Sequence, residues 1–139
     1  MKINTVFILA GGRGTTFKEQ TEFIPKPMIR ANGVPLLDYI INTYQKFGIK
    51  KIILLCGYKI DVIFDYYSKK SIYSDNENNF ILNNDIVVKI LDTGLDTGTA
   101  GRVKAGIKVL DEDYFYLTYG DGVSDVNIEK LTKVHFKSD

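Results

Sequence analysis

An apolar run, Phe7-Ile8-Leu9-Ala10, empties into Gly11-Gly12-Arg13-Gly14-Thr15, and further along the chain Lys26 stands between Pro25 and Pro27. A glycine-rich loop that follows a strand presents bare backbone N–H groups, and such groups bind phosphate. The prolines restrict the backbone on both sides of the lysine, which predicts an ammonium held close to the loop. Farther on, Asp121 projects from a turn with glycine on both sides, where little side-chain bulk blocks a ligand. A carboxylate there is the hard oxygen donor that Mg²⁺ prefers, usually alongside substrate phosphates. These residue types point to a nucleotide site.

Two better-known phosphate motifs are absent. Phe17 occupies the place of the third glycine in G-x-G-x-x-G, and no G-x-x-x-x-G-K-S/T run exists, which argues against a dehydrogenase and a P-loop ATPase. Each feature also has a plainer reading when taken alone. The glycines could serve only a tight turn, Lys26 could be a surface lysine, and Asp121 could cap backbone N–H groups.

The elements that must position these residues repeat strand then helix. Thr5 to Ala10 is apolar without alternation, as in a strand buried on both faces of a parallel sheet. Pro35 marks a helix start, Leu36, Leu37, Ile40, Ile41, Tyr44 and Phe47 form its apolar stripe, and Gly48 ends it. Lys51 to Cys56 is a second buried strand, and Gly57 turns into a helix carrying Ile60, Ile63, Phe64 and Tyr67. Ser71 to Asn84 is polar and reads as a surface loop with a short strand near Phe80. A third strand at Ile86 to Leu91 precedes a helix from about Gly101, with Val103, Ile107 and Leu110 facing inward. The fourth strand is Tyr114 to Tyr119, its tyrosines assigned to core packing. Asp125 is the expected N-cap of a last helix that buries Ile128, Leu131 and Val134.

The expected fold is therefore α/β: a Rossmann-like, doubly wound, mainly parallel sheet with helices on both faces. Ligands of such sheets bind at the carboxyl ends of strands where the winding reverses. That edge would gather the glycine loop, the Thr93 to Arg102 segment and Asp121.

Composition sets the remaining bounds. A chain of 139 residues, 45% hydrophobic, is expected to form one domain. Its net charge of +1 and lack of a basic block give no reason to propose nucleic acid or membrane as a partner. No signal peptide or membrane-length apolar run is evident, so a cytoplasmic location is the default. Cys56 cannot form an internal disulfide, no Cys/His cluster could hold zinc, and the lone His135 reads as a helix residue.

Leu9-Ala10-Gly11-Gly12-Arg13-Gly14-Thr15 with Pro25-Lys26-Pro27-Met28 resembles the signature of the sugar-1-phosphate nucleotidyltransferases. Within that family, Asp92-Thr93-Gly94-Leu95-Asp96-Thr97-Gly98-Thr99-Ala100-Gly101-Arg102 and Thr118-Tyr119-Gly120-Asp121-Gly122-Val123 are most similar to the glucose-1-phosphate cytidylyltransferases. The resemblance implies attack of a sugar 1-phosphate on the α-phosphorus of CTP with loss of pyrophosphate. Catalysis of that kind is positioning and charge neutralisation. It further implies that Lys26 contacts phosphate oxygens as the catalytic cation and that Leu9, Ala10, Gly11, Gly12, Arg13, Gly14 and Thr15 hold the nucleotide. Thr97, Gly101 and Arg102 would join them, and Asp121 would ligate Mg²⁺. Thr97 could instead cap a turn, and Arg102 could pair with a helix carboxylate. A homo-oligomer stays open.

Departures from the signature carry expectations of their own. Thr16 and Phe17 stand where the family has arginine and leucine, and loss of a transition-state arginine can cost about 10³ to 10⁵ in rate. Ala100 replaces a glycine of the cytidylyltransferase pattern, which leaves other bases open. The matched region corresponds to the N-terminal, nucleotide-binding half of the family. The C-terminal sugar-binding half is expected to be absent, and the last strand of the half-sheet to be an exposed edge. A nucleotide-binding domain without turnover is the alternative reading.

Overall fold

The computed structural model describes residues 2–12, 24–120 and 127–137. Four parallel strands form its centre: β1 (Thr5–Ala10), β4 (Lys51–Cys56), β7 (Val87–Asp92) and β8 (Tyr116–Tyr119). In register, Ile8 lies beside Leu54 and Leu54 beside Ile90, while Ala10, Cys56 and Asp92 end three strands at one level. Strands buried on both faces need apolar residues, and β1 from Val6 and β4 from Ile52 onward have them without a break.

The helices divide between the two faces. α1 (Leu36–Gln45), α2 (Ile60–Lys70) and α4 (Ile128–Lys137) cover one face, where Leu37, Ile63 and Ile128 share a core with Val6, Ile8, Ile52 and Leu54. α3 (Thr99–Lys108) covers the other, with Val103 against Phe7, Ile53 and Leu55. Gly106 makes that approach possible, since a Cβ there would lie 2.7 Å from Phe7 Cε2. With β5 (Tyr73–Ser74) and β6 (Asn79–Ile81) included, the strand order β5-β6-β7-β4-β1-β8 shows why both faces are used. The chain winds outward from β1 through β4 to β7, then returns across the sheet to β8 on the other flank of β1. The winding thus reverses between β1 and β4 on one side and β8 on the other, the place where such sheets open a crevice.

The expected doubly wound, mainly parallel architecture is present, with four corrections. First, the Ser71–Asn84 stretch has the expected short strand near Phe80 but is more ordered than a loop around it. It holds β5 (Tyr73–Ser74), β6 (Asn79–Ile81) and a 3₁₀ turn at Asn83–Asp85, and β6 pairs antiparallel with both β5 and β7. A second small ladder, β2 (Arg30–Ala31) with β3 (Val34–Pro35), leads into α1. Second, α3 begins at Thr99, ahead of Gly101, and Ile107 is exposed. Third, the last parallel strand starts at Tyr116, later than expected from Tyr114, although β8 is, as expected, an edge strand of the described sheet.

Fourth, α4 buries Ile128 but exposes Leu131 and Val134. Its cap is Asn127, whose Oδ1 accepts from the Lys130 N–H. That geometry satisfies one of the free donors of the first turn. The predicted cap, Asp125, lies outside the described residues. Gly48, with φ +83°, ends α1 as expected.

Candidate active site

The strand ends at Ala10, Cys56 and Asp92 release three loops side by side. The Gly11 carbonyl accepts from the Tyr58 N–H at 3.1 Å and from Arg102 Nη2 at 3.1 Å. Because the peptide unit is planar and trans, the Gly12 N–H points the opposite way, away from both donors. A Cβ on Gly11 would sit 2.5 Å from Arg102 Cζ, so a side chain there must displace the guanidinium, whereas a Cβ on Gly12 would meet no described atom within 4 Å. The loop therefore leans on Arg102 with one glycine and opens to solvent with the next.

Lys26 enters through a 3₁₀ turn (Lys26–Met28) in which the Met28 N–H bonds the Pro25 carbonyl at 2.9 Å and the Ile29 N–H bonds the Lys26 carbonyl at 3.1 Å. Buried Pro27 and Met28 pin the turn to the core. From the far flank, the Gly120 N–H donates to the Leu9 carbonyl at 2.8 Å, and a Cβ on Gly120 would be 3.0 Å from Pro27 Cγ. The ends of β1 and β8 and the lysine turn thus meet at one place.

The third wall is the start of α3, with Gly98 as N-cap. Thr97 Oγ1 donates to the Thr93 carbonyl at 2.5 Å, which closes the turn ahead of the helix, and Gly101 lets the helix pass close to the Thr97 methyl. Free N–H groups at a helix N-terminus attract anions.

These walls enclose a cavity of about 240 Å³. Leu9 to Gly12 form its floor, Lys26 and Pro27 one side, and Thr97 to Thr99 with Arg102 the other. Two cations and no carboxylate stand among the described lining residues. A cleft with that balance, amides at a glycine loop and a helix N-terminus suits a polyphosphate.

Of the residues singled out in the sequence, Leu9, Ala10, Gly11, Gly12, Lys26, Thr97 and Arg102 come together here. Gly101 does not line the cavity; it is a packing position under Thr97. Arg13, Gly14, Thr15, Thr16, Phe17 and Asp121 lie outside the described residues. Thr97 does cap a turn as well as line the cavity. Arg102 pairs with no helix carboxylate among the described residues and bonds main-chain carbonyls instead.

Tyr119 corrects an expectation. It lines the cavity and is 60% exposed, so it is not core packing, although Tyr116 on the same strand is buried. Its place as the last residue of a parallel strand, just before Gly120, was the available signal. Gly98 and Thr99 were missed as lining residues for the same reason that α3 was started too late. Cys56 is fully buried at its strand end, and burial pushes its thiol well above the ordinary range even with Arg102 nearby. His135 is exposed on α4 and packs its ring against Tyr114 and Phe136.

Among known proteins, the chain is 37% identical to a glucose-1-phosphate cytidylyltransferase of Salmonella typhimurium, over 92% of this chain and 54% of that protein. It is 32% identical to a D-glycero-alpha-D-manno-heptose 1-phosphate guanylyltransferase of Campylobacter jejuni, over 89% of this chain and 50% of that protein. Among solved structures, HddC from Yersinia pseudotuberculosis complexed with GMP-PN superposes with a TM-score of 0.78 at 29% identity, covering 99% of this chain and 56% of that one. The chain spans about half the length of the curated relatives it matches. The nucleotidyl transferase family model matches residues 5–139, the whole of the described sheet and its glycine loop, and the chain belongs to that family.

Proposed function

We propose that this chain is the nucleotide-binding part of a sugar-1-phosphate cytidylyltransferase, which joins CTP and a sugar 1-phosphate, with glucose 1-phosphate the first candidate, and releases pyrophosphate. One observation carries the reading. At the reversal of the sheet, the Gly11–Gly12 loop, the α3 N-terminus, Lys26 and Arg102 converge on one cavity with no described carboxylate. The cytidine preference rests on the likeness to the Salmonella enzyme, while the guanylyltransferase and the GMP-PN complex keep guanosine as the rival base.

In this reading the triphosphate lies over the Gly12 amide, and Lys26 neutralises charge on the phosphate oxygens as pyrophosphate departs. The sugar phosphate oxygen is the nucleophile, so no covalent enzyme intermediate is needed. Tyr119 and Thr97 bound the cavity on either side and restrict how the nucleotide lies.

Among the described residues no group of three or more His, Cys, Asp or Glu side chains could hold a metal ion. Mg²⁺ needs no such cage, because one or two carboxylates and the substrate phosphates suffice. Asp121, the residue after Gly120, is the carboxylate that would hold it, and the ion when bound would offset phosphate charge. Among the described residues no helix is long and apolar enough to cross a membrane.

A second reading, nucleotide binding without turnover, is favoured by Thr16 at the arginine position of the signature. Calorimetry with CTP, UTP and GTP in Mg²⁺, beside a pyrophosphate-release assay with glucose 1-phosphate, decides between them. Binding led by CTP with release supports transfer, and binding without release supports the second reading. Absence of binding to all three overturns both.

A further inference from the structure

We infer that Arg102 is a positioning residue that holds the Gly11–Gly12 peptide facing the ligand, and that it does not read the nucleotide base. The inference rests on the reading of this cavity as a nucleotide site and gives one of its cations a different task from the other. Arg102 is 5% exposed and sits in the first turn of α3. Its Nη1 donates to the Thr93 hydroxyl at 2.7 Å, the Gly94 carbonyl at 2.8 Å and the Cys56 carbonyl at 3.3 Å. Its Nη2 donates to the Gly11 carbonyl at 3.1 Å and the Leu95 carbonyl at 3.4 Å.

The two terminal nitrogens of a guanidinium carry four N–H bonds in all. Five protein acceptors already face those four hydrogens. Reading a base edge in a paired fashion takes two adjacent donors. Among the described residues only the Nε–H is left without an acceptor, so the fork cannot serve that purpose.

What the fork does instead follows from where its acceptors lie. Gly11 follows β1, Cys56 ends β4, and Thr93 to Leu95 follow β7, so one side chain ties three separate strand-end loops. The chain leaves room for it: a Cβ on Gly57 would lie 2.7 Å from Nη1, and one on Gly11 would lie 2.5 Å from Cζ. Among the described residues, carbonyl dipoles and the Thr93 hydroxyl, not a carboxylate, compensate the buried charge, and its field is left to act on an anion in the cavity. By fixing the Gly11 carbonyl, Arg102 fixes the opposed Gly12 N–H. Lysine cannot replace it, because an ammonium is a compact charge without the planar fork.

The test uses Arg102→Lys and Gly11→Ala in the chain as it stands. Affinities for CTP, UTP and GTP in Mg²⁺ are measured, together with amide hydrogen exchange at Tyr58 and Thr93, the N–H groups that share acceptors with Arg102. Both variants are expected to lose about tenfold or more in affinity for every triphosphate, with the ratios among the three kept within about twofold. Exchange at Tyr58 and Thr93 should rise about tenfold or more while amides of Ile53 and Leu54 keep their protection, which shows that the sheet remains folded. A loss confined to one base with Tyr58 and Thr93 still protected overturns the inference. If the wild-type chain binds no triphosphate, the nucleotide reading falls, and unchanged exchange at both amides then overturns the positioning role as well.

Discussion

Replacing Gly57 with alanine places one methyl group where the loops after β4 and β7 touch. The added Cβ would lie 2.7 Å from Arg102 Nη1 and 3.1 Å from the Gly94 carbonyl carbon, and closer still to the Gly94 oxygen. Ordinary carbon–oxygen contacts begin at about 3.3 Å. The obstacle is backbone, so the clash is relieved only by moving the β7 loop, at a cost of about 1–3 kcal/mol. That movement also strains the bond from Arg102 to the Gly94 carbonyl, and a hydrogen bond from a charged group contributes about 1.5–3 kcal/mol. Partial loss of both gives an expected destabilisation of about 3 kcal/mol, or roughly 10 °C in melting temperature for a domain of this size. Urea unfolding should show a lower midpoint with an unchanged slope. Gly12→Ala is the matched control, because its methyl meets nothing among the described residues, and it should stay within about 0.5 kcal/mol of wild type. A Gly57→Ala protein as stable as the Gly12→Ala control would refute the packing described around Arg102.

Three further outcomes are expected. Tyr67 is buried and donates to Asp38; burial and that carboxylate hold its phenol well above the ordinary range. Its stabilising contribution is present below pH ~10, where the unfolded phenol ionises, and is lost as pH rises further. Stability measured in urea should thus fall above pH ~10, with a shallower fall in Tyr67→Phe. Cys56 should resist alkylating reagents in the native state and react only on unfolding, so rapid labelling without loss of structure would contradict its burial. Thr16→Arg should raise pyrophosphate release with CTP and glucose 1-phosphate; equal rates in a variant that binds CTP would show that the missing arginine is not what limits turnover.

How far the sequence foretells this molecule depends on where each signal is written. β1 and β4 were legible because strands buried on both faces leave an unbroken apolar record from Val6 to Ala10 and Ile52 to Cys56. The glycine loop and Lys26 were legible because their chemistry is carried by residue type. The β5–β6 hairpin was not. Its strands are short, Phe80 is its one buried core side chain, and the turn uses Asn78 at φ +62°, so a short strand near Phe80 shows in the sequence but its partner strand reads as polar loop. Leu131 and Val134 follow a helical stripe, yet periodicity cannot say that the face they share is exposed. Arg102 was legible as a residue of interest but not in its bonding. Four of its five partners are backbone carbonyls, which every sequence possesses, and only the strand register brings them to one guanidinium.

The most direct test of the central claim, that the cavity at the reversal of the sheet binds a nucleoside triphosphate through the glycine loop and Lys26, is calorimetric titration of CTP in Mg²⁺ into wild type and Lys26→Met. The wild-type chain should bind. The variant should remain folded and bind about 10- to 100-fold more weakly, as expected for loss of one charge-assisted phosphate contact. Equal affinity in the two proteins, or no binding by the wild type, would contradict it.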